Sequence, residues 1–144
     1  MNKDEKKIIF LVDDDALFLK SLEIDFNQLD TFEIKTFPTG ELCLKSLSDN
    51  PAIIVLDYHL NGIDLNAIDG LATLDAIKLH CIETPVIMLS SQDKIEVAIN
   101  CMHHRASDYV VKSETSFIRL QQIIENIFRY QKVEKQLSWY MERM

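Results

Sequence analysis

Short apolar runs alternate with amphipathic stretches along almost the whole chain, and that alternation admits few folds. Ile8–Val12, Phe32–Phe37, Ala52–Leu56, Val86–Leu89 and Tyr109–Val111 are strand-sized and rich in β-branched and aromatic residues. Between them, apolar residues recur every three or four positions. Phe18, Leu22, Phe26 and Leu29 mark a first helix, Leu71, Leu74, Ile77 and Cys81 a third, and Ile95, Ile99 and Met102 a fourth. Thr39 suits the N-cap of a second helix carrying Leu44 and Leu47, which Asn50-Pro51 stops. The last helix is expected to start near Glu114. Ala52–Leu56 is wholly apolar, as a strand covered on both faces must be. Five β-α units of this length predict an α/β fold: a doubly wound, five-stranded parallel sheet with helices on both faces.

Size and composition fit one such domain. The chain has 144 residues, 47% of them hydrophobic and 26% charged, enough for a single core. Its apolar runs are far too short to span a membrane, and the charged start MNKDEKK lacks the apolar core of a secretory signal. A cytoplasmic location is therefore expected. The net charge of −8 argues against direct binding of nucleic acid, and the short apolar runs against a membrane partner. Cys43, Cys81 and Cys101 form no paired motif and are read as buried, reduced thiols.

In a parallel sheet every strand ends on one edge, and ligands bind there. The first strand is followed by Asp13, Asp14 and Asp15, the third by Asp57, the fourth by Ser90 and Ser91, and the fifth by Lys112. Each residue alone has an ordinary explanation: an aspartate or serine caps a helix, a lysine sits in solvent. Four of five strand ends carrying such groups together is not what a core requires. Clustered carboxylates repel unless a cation intervenes, and an all-oxygen site with few protein ligands suits Mg²⁺. An ammonium and a hydroxyl beside a carboxylate nucleophile equip the edge for phosphoryl transfer onto aspartate.

The segments IIFLVDDD, IIVLDYHL, VIMLSS and DYVVK resemble, in order and spacing, the motifs of response-regulator receiver domains, over roughly Lys7–Arg129. The resemblance implies a flavodoxin-like three-layer fold with strand order 2-1-3-4-5. It implies Asp57 as phospho-acceptor and a Mg²⁺ site of Asp13, Asp14, Asp57 and the His59 backbone carbonyl. Lys112 and Ser90 would contact the phosphoryl group, and Tyr109 would switch with Ser90. A sensor histidine kinase or phosphotransfer protein would be the donor, and the only catalysis would be of the domain's own phosphorylation and dephosphorylation. A degenerate receiver, acting as a phosphorylation-independent interaction module, is the alternative; the intact Asp13, Asp14, Asp57, Ser90 and Lys112 count against it. His59, His80, His103 and His104 are not expected to relay phosphate; the adjacent pair suits a helix C-terminus.

Three departures from the family pattern set expectations of their own. Asp69-Gly70 arrives late after Asp57, through NGIDLNAI; the extra residues could bring Asp64 toward the metal, but a tolerated surface insertion is the favoured reading. Ser113 replaces the usual proline after Lys112, so that peptide is expected to be trans. Arg105 stands where glycine is usual and would carry left-handed strain. Beyond the receiver, residues 1–129, a C-terminal extension at 130–144 continues the last helix, with Val133, Leu137, Tyr140 and Met144 as a seam expected to pair two copies. No output segment follows Met144, which suggests a stand-alone receiver or part of a larger regulator.

Overall fold

The computed structural model describes residues 5–144. The elements run β1 (Lys7–Val12), α1 (Ala16–Leu29), β2 (Phe32–Phe37), α2 (Gly40–Lys45), a short 3₁₀ turn (Leu47–Asp49), β3 (Ile53–Asp57), α3 (Gly70–His80), β4 (Val86–Ser90), α4 (Ile95–His103), β5 (Asp108–Val111) and α5 (Ser116–Glu142). All strand pairs are parallel and the sheet order is β2-β1-β3-β4-β5. This is the doubly wound sheet expected from the sequence. No helix among the described residues is long and apolar enough to cross a membrane.

The two-residue period of β1 divides the core. Ile9 and Leu11 point to one face with Leu22 and Phe26 of α1 and Leu120 and Ile124 of α5. Phe10 and Val12 point to the other, with Leu74 and Ile77 of α3 and Cys101 of α4. Every residue of β3 and β4 is buried, so these central strands have no solvated face.

Local signals set most helix starts. Asp15, Thr39 and Asp69 each adopt an extended backbone and accept an amide three residues on, from Phe18, Leu42 and Ala72. Boundaries shift slightly from expectation: β3 is Ile53–Asp57, placing Asp57 inside the strand, β4 reaches Ser90, and α5 begins at Ser116. Cys43 and Cys101 are buried as expected, but Cys81 is only half-buried, because it caps the end of α3. The stripe of α4 forms the expected helix but does not face the sheet. Ile95, Ile99 and Met102 are exposed at 73%, 48% and 46%, while Cys101 and Val97 face the sheet. α4 is therefore amphipathic in reverse, with an apolar outer face.

Arg105 carries the expected strain. It closes α4 with φ 74°; its amide donates to the Met102 carbonyl and that of Ala106 to the Cys101 carbonyl. These paired bonds, with buried Ala106 against buried Cys101, form a Schellman motif whose left-handed position favours glycine. The described peptide bonds are all trans, including Lys112–Ser113. Arg105→Gly should stabilise the fold by about 1 kcal/mol, because the left-handed conformation costs a side-chain-bearing residue roughly that much. The urea midpoint should rise with an unchanged m-value; a fall would show that Arg105 makes compensating contacts.

Candidate functional site

The carboxyl edge of the sheet brings together acidic groups from two adjacent central strands. Asp13 follows β1 and Asp57 ends β3; both are almost fully buried, at 1% and 3% exposure. Asp14 is half-buried beside them, and the three residues offer carboxylate oxygens all within 4.8 Å of one another. Lys112, immediately after β5, reaches across: its Nζ lies 2.8 Å from Asp13 Oδ2 and 3.4 Å from Asp57 Oδ1. Its ammonium also sits over the Phe18 ring, 4.7 Å from the centroid.

Backbone amides fix the carboxylates. Asp13 Oδ1 accepts the Asp15 amide at 2.9 Å and Asp14 Oδ2 the Gly62 amide at 3.1 Å. Asp13 Oδ2 is buried with only the Lys112 ion pair to meet its charge. An orphaned buried oxygen among three carboxylates is the environment a hard divalent cation satisfies. The donor set fits Mg²⁺.

The electrostatics follow from burial. Desolvation first, and then the Asp13 charge, push the Asp57 carboxyl up to about 8, although Lys112 and the His59 backbone amide pull it down. Burial disfavours the Lys112 ammonium, but Asp13 and Asp57 outweigh that and hold its pKa above the ordinary lysine value.

The remaining expected residues take varied positions. A cleft of about 490 Å³ above Asp57 is lined by Asp14, Leu17, His59, Ile63, Ser91 and Lys112, among others. His59 lies on that wall, its Nε2 3.2 Å from Gln92 Nε2. Ser90 does not line the cleft: it is fully buried, and its Oγ accepts the Gln92 amide at 3.0 Å. Tyr109 is half-buried and its hydroxyl donates to the Gln92 carbonyl at 2.5 Å. Ser90 and Tyr109 thus hold the same short segment. Asp64 stays away from the carboxylates; its Oδ1 accepts the Asn66 amide within its own loop. His104 caps α4 as a helix-terminal histidine, and its Nδ1 also lies 2.8 Å from Asp75 Oδ1.

Two positioning residues escaped sequence reasoning. Gly70 is packed so tightly that a Cβ would fall 2.2 Å from the Asp57 carbonyl oxygen and 2.7 Å from Tyr58 Cα. Glu41 of α2 accepts the Ile68 amide at 3.1 Å, anchoring the far end of the β3–α3 loop. The Asp69-Gly70 dipeptide was a visible signal for the first; nothing in the sequence linked Glu41 to a loop 27 residues away.

Comparison with known proteins decides the family. Residues 9–125 match the model of the response regulator receiver domain. The chain belongs to that family. PrrA, a transcriptional regulatory protein of Mycobacterium tuberculosis, is 32% identical over 105 residues, covering 72% of this chain and 42% of PrrA. The regulatory protein AtoC of Escherichia coli is 26% identical over 130 residues, 90% of this chain and 27% of AtoC. This receiver thus spans less than half the length of these relatives. Among solved structures, NtrX of Brucella abortus superposes with a TM-score of 0.78 at 28% identity, over 93% of this chain and 29% of that one. A CheY-like receiver from Methanospirillum hungatei, 20% identical with a TM-score of 0.76 over 90% of this chain and 99% of its own, shares the fold. The protein is a response regulator receiver domain of two-component signalling.

Gly70→Ala should destabilise the receiver by about 1–3 kcal/mol, because the added methyl meets backbone and not a yielding side chain. Gly62→Ala, whose Cβ would lie 3.3 Å from the carboxylate end of Asp14, should cost much less; equal urea midpoints for the two variants would refute the packing argument.

The raised Asp57 carboxyl sets a pH dependence. Without metal, the native state holds a proton that the unfolded chain releases near pH 4, so stability falls as pH rises from about 4 to about 8. The slope is at most about 1.4 kcal/mol per pH unit. In EDTA, Asp57→Asn should therefore stabilise the protein more at pH 8 than at pH 5, by urea denaturation; a gain independent of pH would contradict this assignment.

Proposed function

We propose that this receiver takes a phosphoryl group onto Asp57 from a phosphohistidine on a sensor histidine kinase or phosphotransfer protein. The observation that carries the reading is the buried Asp57 carboxylate set between the Asp13–Asp14 pair and the Lys112 ammonium at the open edge of the sheet. An Asp57 oxygen attacks phosphorus, the N–P bond breaks with its electron pair returning to the imidazole, and an acyl phosphate forms. Water later cleaves the P–O bond and restores the carboxylate. The domain catalyses only these two steps on itself.

Asp13, Asp14 and Asp57, with the His59 backbone carbonyl, are the groups that would hold Mg²⁺. When bound, the ion neutralises the carboxylates and the oxygens of the incoming phosphoryl group. Lys112 supplies a compact positive charge next to the accepting oxygen, and Phe18 limits where that ammonium can move. Ser90 and Tyr109 form the switch. Their shared hold on Gln92, through its amide and its carbonyl, means that drawing the Ser90 hydroxyl toward a phosphoryl oxygen releases that amide and loosens the Tyr109 contact. The β4–α4 segment then moves, and with it the apolar outer face of α4. The output is a change of partner or oligomer interactions at α4, β5 and α5, with the C-terminal helix as the surface for self-association.

Incubation with acetyl phosphate and Mg²⁺ should add one phosphoryl group by intact-protein mass spectrometry. Asp57→Asn or EDTA should abolish the addition, and Lys112→Met should slow it by about tenfold or more, since a positioned charge of this kind supplies at least that much. Wild-type-like labelling of Asp57→Asn would place the acceptor elsewhere.

A further inference from the structure

α5 continues unbroken to Glu142, and its last turns carry an apolar seam with no cover from its own domain. Tyr130, Val133, Leu137 and Tyr140, with Met144 just past the helix end, recur at spacings of three, four, three and four, and each is 53–101% exposed. That 3.5-residue average is the repeat of a coiled coil and not of a helix lying on a globular core. It extends back to Asn126. The positions toward the partner are then Tyr130 and Leu137 in one row and Asn126, Val133 and Tyr140 in the other.

The seam faces away from the receiver. Ser116, Leu120 and Ile124 are the residues of α5 buried against the sheet. Val133 lies nine residues beyond Ile124, two and a half turns at about 3.6 residues per turn, hence on the opposite side of the helix. A second helix can therefore lie along the seam with both receivers held outside the pair.

The flanking charges choose the partner and its direction. In a parallel pair, Arg129 on one helix faces Glu134 of the next heptad on the other, and symmetry supplies the contact twice. An antiparallel pair would set Arg129 against Arg129, Gln136 or Arg143, and Glu134 against Ile127, Glu134 or Met141, with no pair of opposite sign. Both Arg129 and Glu134 are exposed, and neither makes an ion pair among the described residues. Arg143 is already engaged, its guanidinium 3.9 Å from the Trp139 ring centroid.

We propose that the occupant of this seam is a second copy of the same chain, paired as a parallel, in-register coiled coil that the Arg129–Glu134 contacts specify. The proposal deepens the self-association named above and rests on it, but not on phosphorylation of Asp57. Sedimentation velocity on the full chain over a concentration series should show a monomer–dimer equilibrium, which Leu137→Asp abolishes by placing a charge in the seam. Arg129→Glu and Glu134→Arg should each weaken the dimer about five- to tenfold, and the double variant should restore it. Tyr140→Cys in a Cys81→Ser background should form an intermolecular disulfide on mild oxidation, because only a parallel pair brings identical positions together. A monomer at all concentrations would overturn both the self-association and the register. A dimer that the charge swap does not rescue, or in which the thiol introduced by Tyr140→Cys stays unlinked, would overturn the parallel pairing alone and leave the phosphoryl chemistry untouched.

Discussion

Asp57 and Asp13 are held side by side at the end of two buried strands, and the fold is arranged around the repulsion between them. In water the two charges would cost little; at 3% and 1% exposure, desolvation and the neighbouring Asp13 charge hold the Asp57 carboxyl well above the usual carboxylate range. Lys112 supplies part of the compensation at 2.8 Å from Asp13 and 3.4 Å from Asp57, and leaves Asp13 Oδ2 without a hydrogen bond. The residual deficit makes the site responsive. The three carboxylates are held by the protein rather than by solvent, the environment that a divalent cation satisfies. Such preorganisation is possible because β3 and β4 are apolar on both faces, so the strand ends cannot drift.

The β3–α3 loop shows how a longer connection is made compatible with that precision. Leu60 and Ala67 are buried at its two ends, the Gly62 amide binds Asp14, and the Ile68 amide binds Glu41 on α2. Asp64 closes the tip on itself through the Asn66 amide. The extra residues are therefore pinned at both ends, and the insertion presents Ile63 and Leu65 outward at 77% and 82% exposure without loosening the carboxylates beneath. Gly70 closes the arrangement by letting α3 start directly against the Asp57 carbonyl.

Two helices carry apolar surface where a self-contained domain would carry polar residues. α4 turns Ile95, Ile99 and Met102 outward, and α5 does the same with its last three turns. On α4 the exposed side chains follow the β4–α4 segment that Ser90 and Tyr109 hold through Gln92. On α5 the exposed residues lie beyond the sheet altogether, so their packing is independent of the carboxyl edge.

The sequence by itself determined the sheet, its parallel sense and the edge on which chemistry collects, because the two-residue period of strands and the run of Asp, Ser and Lys after them are local properties. It also set the helix starts at Asp15 and Thr39, since capping acts within a few residues, whereas the left-handed place of Arg105 was legible only through the family resemblance. Only the tertiary structure decided which groups meet. That Lys112 contacts Asp13 more closely than Asp57, that Ser90 turns its hydroxyl to Gln92, and that Glu41 holds Ile68 all depend on side-chain directions summed over elements far apart in the chain. The outward face of α4 was not legible for the same reason. A 3.6-residue period shows that a helix has an apolar side, but which side turns to the sheet is settled by the shape of the core, and there Val97 and Cys101 pack inward.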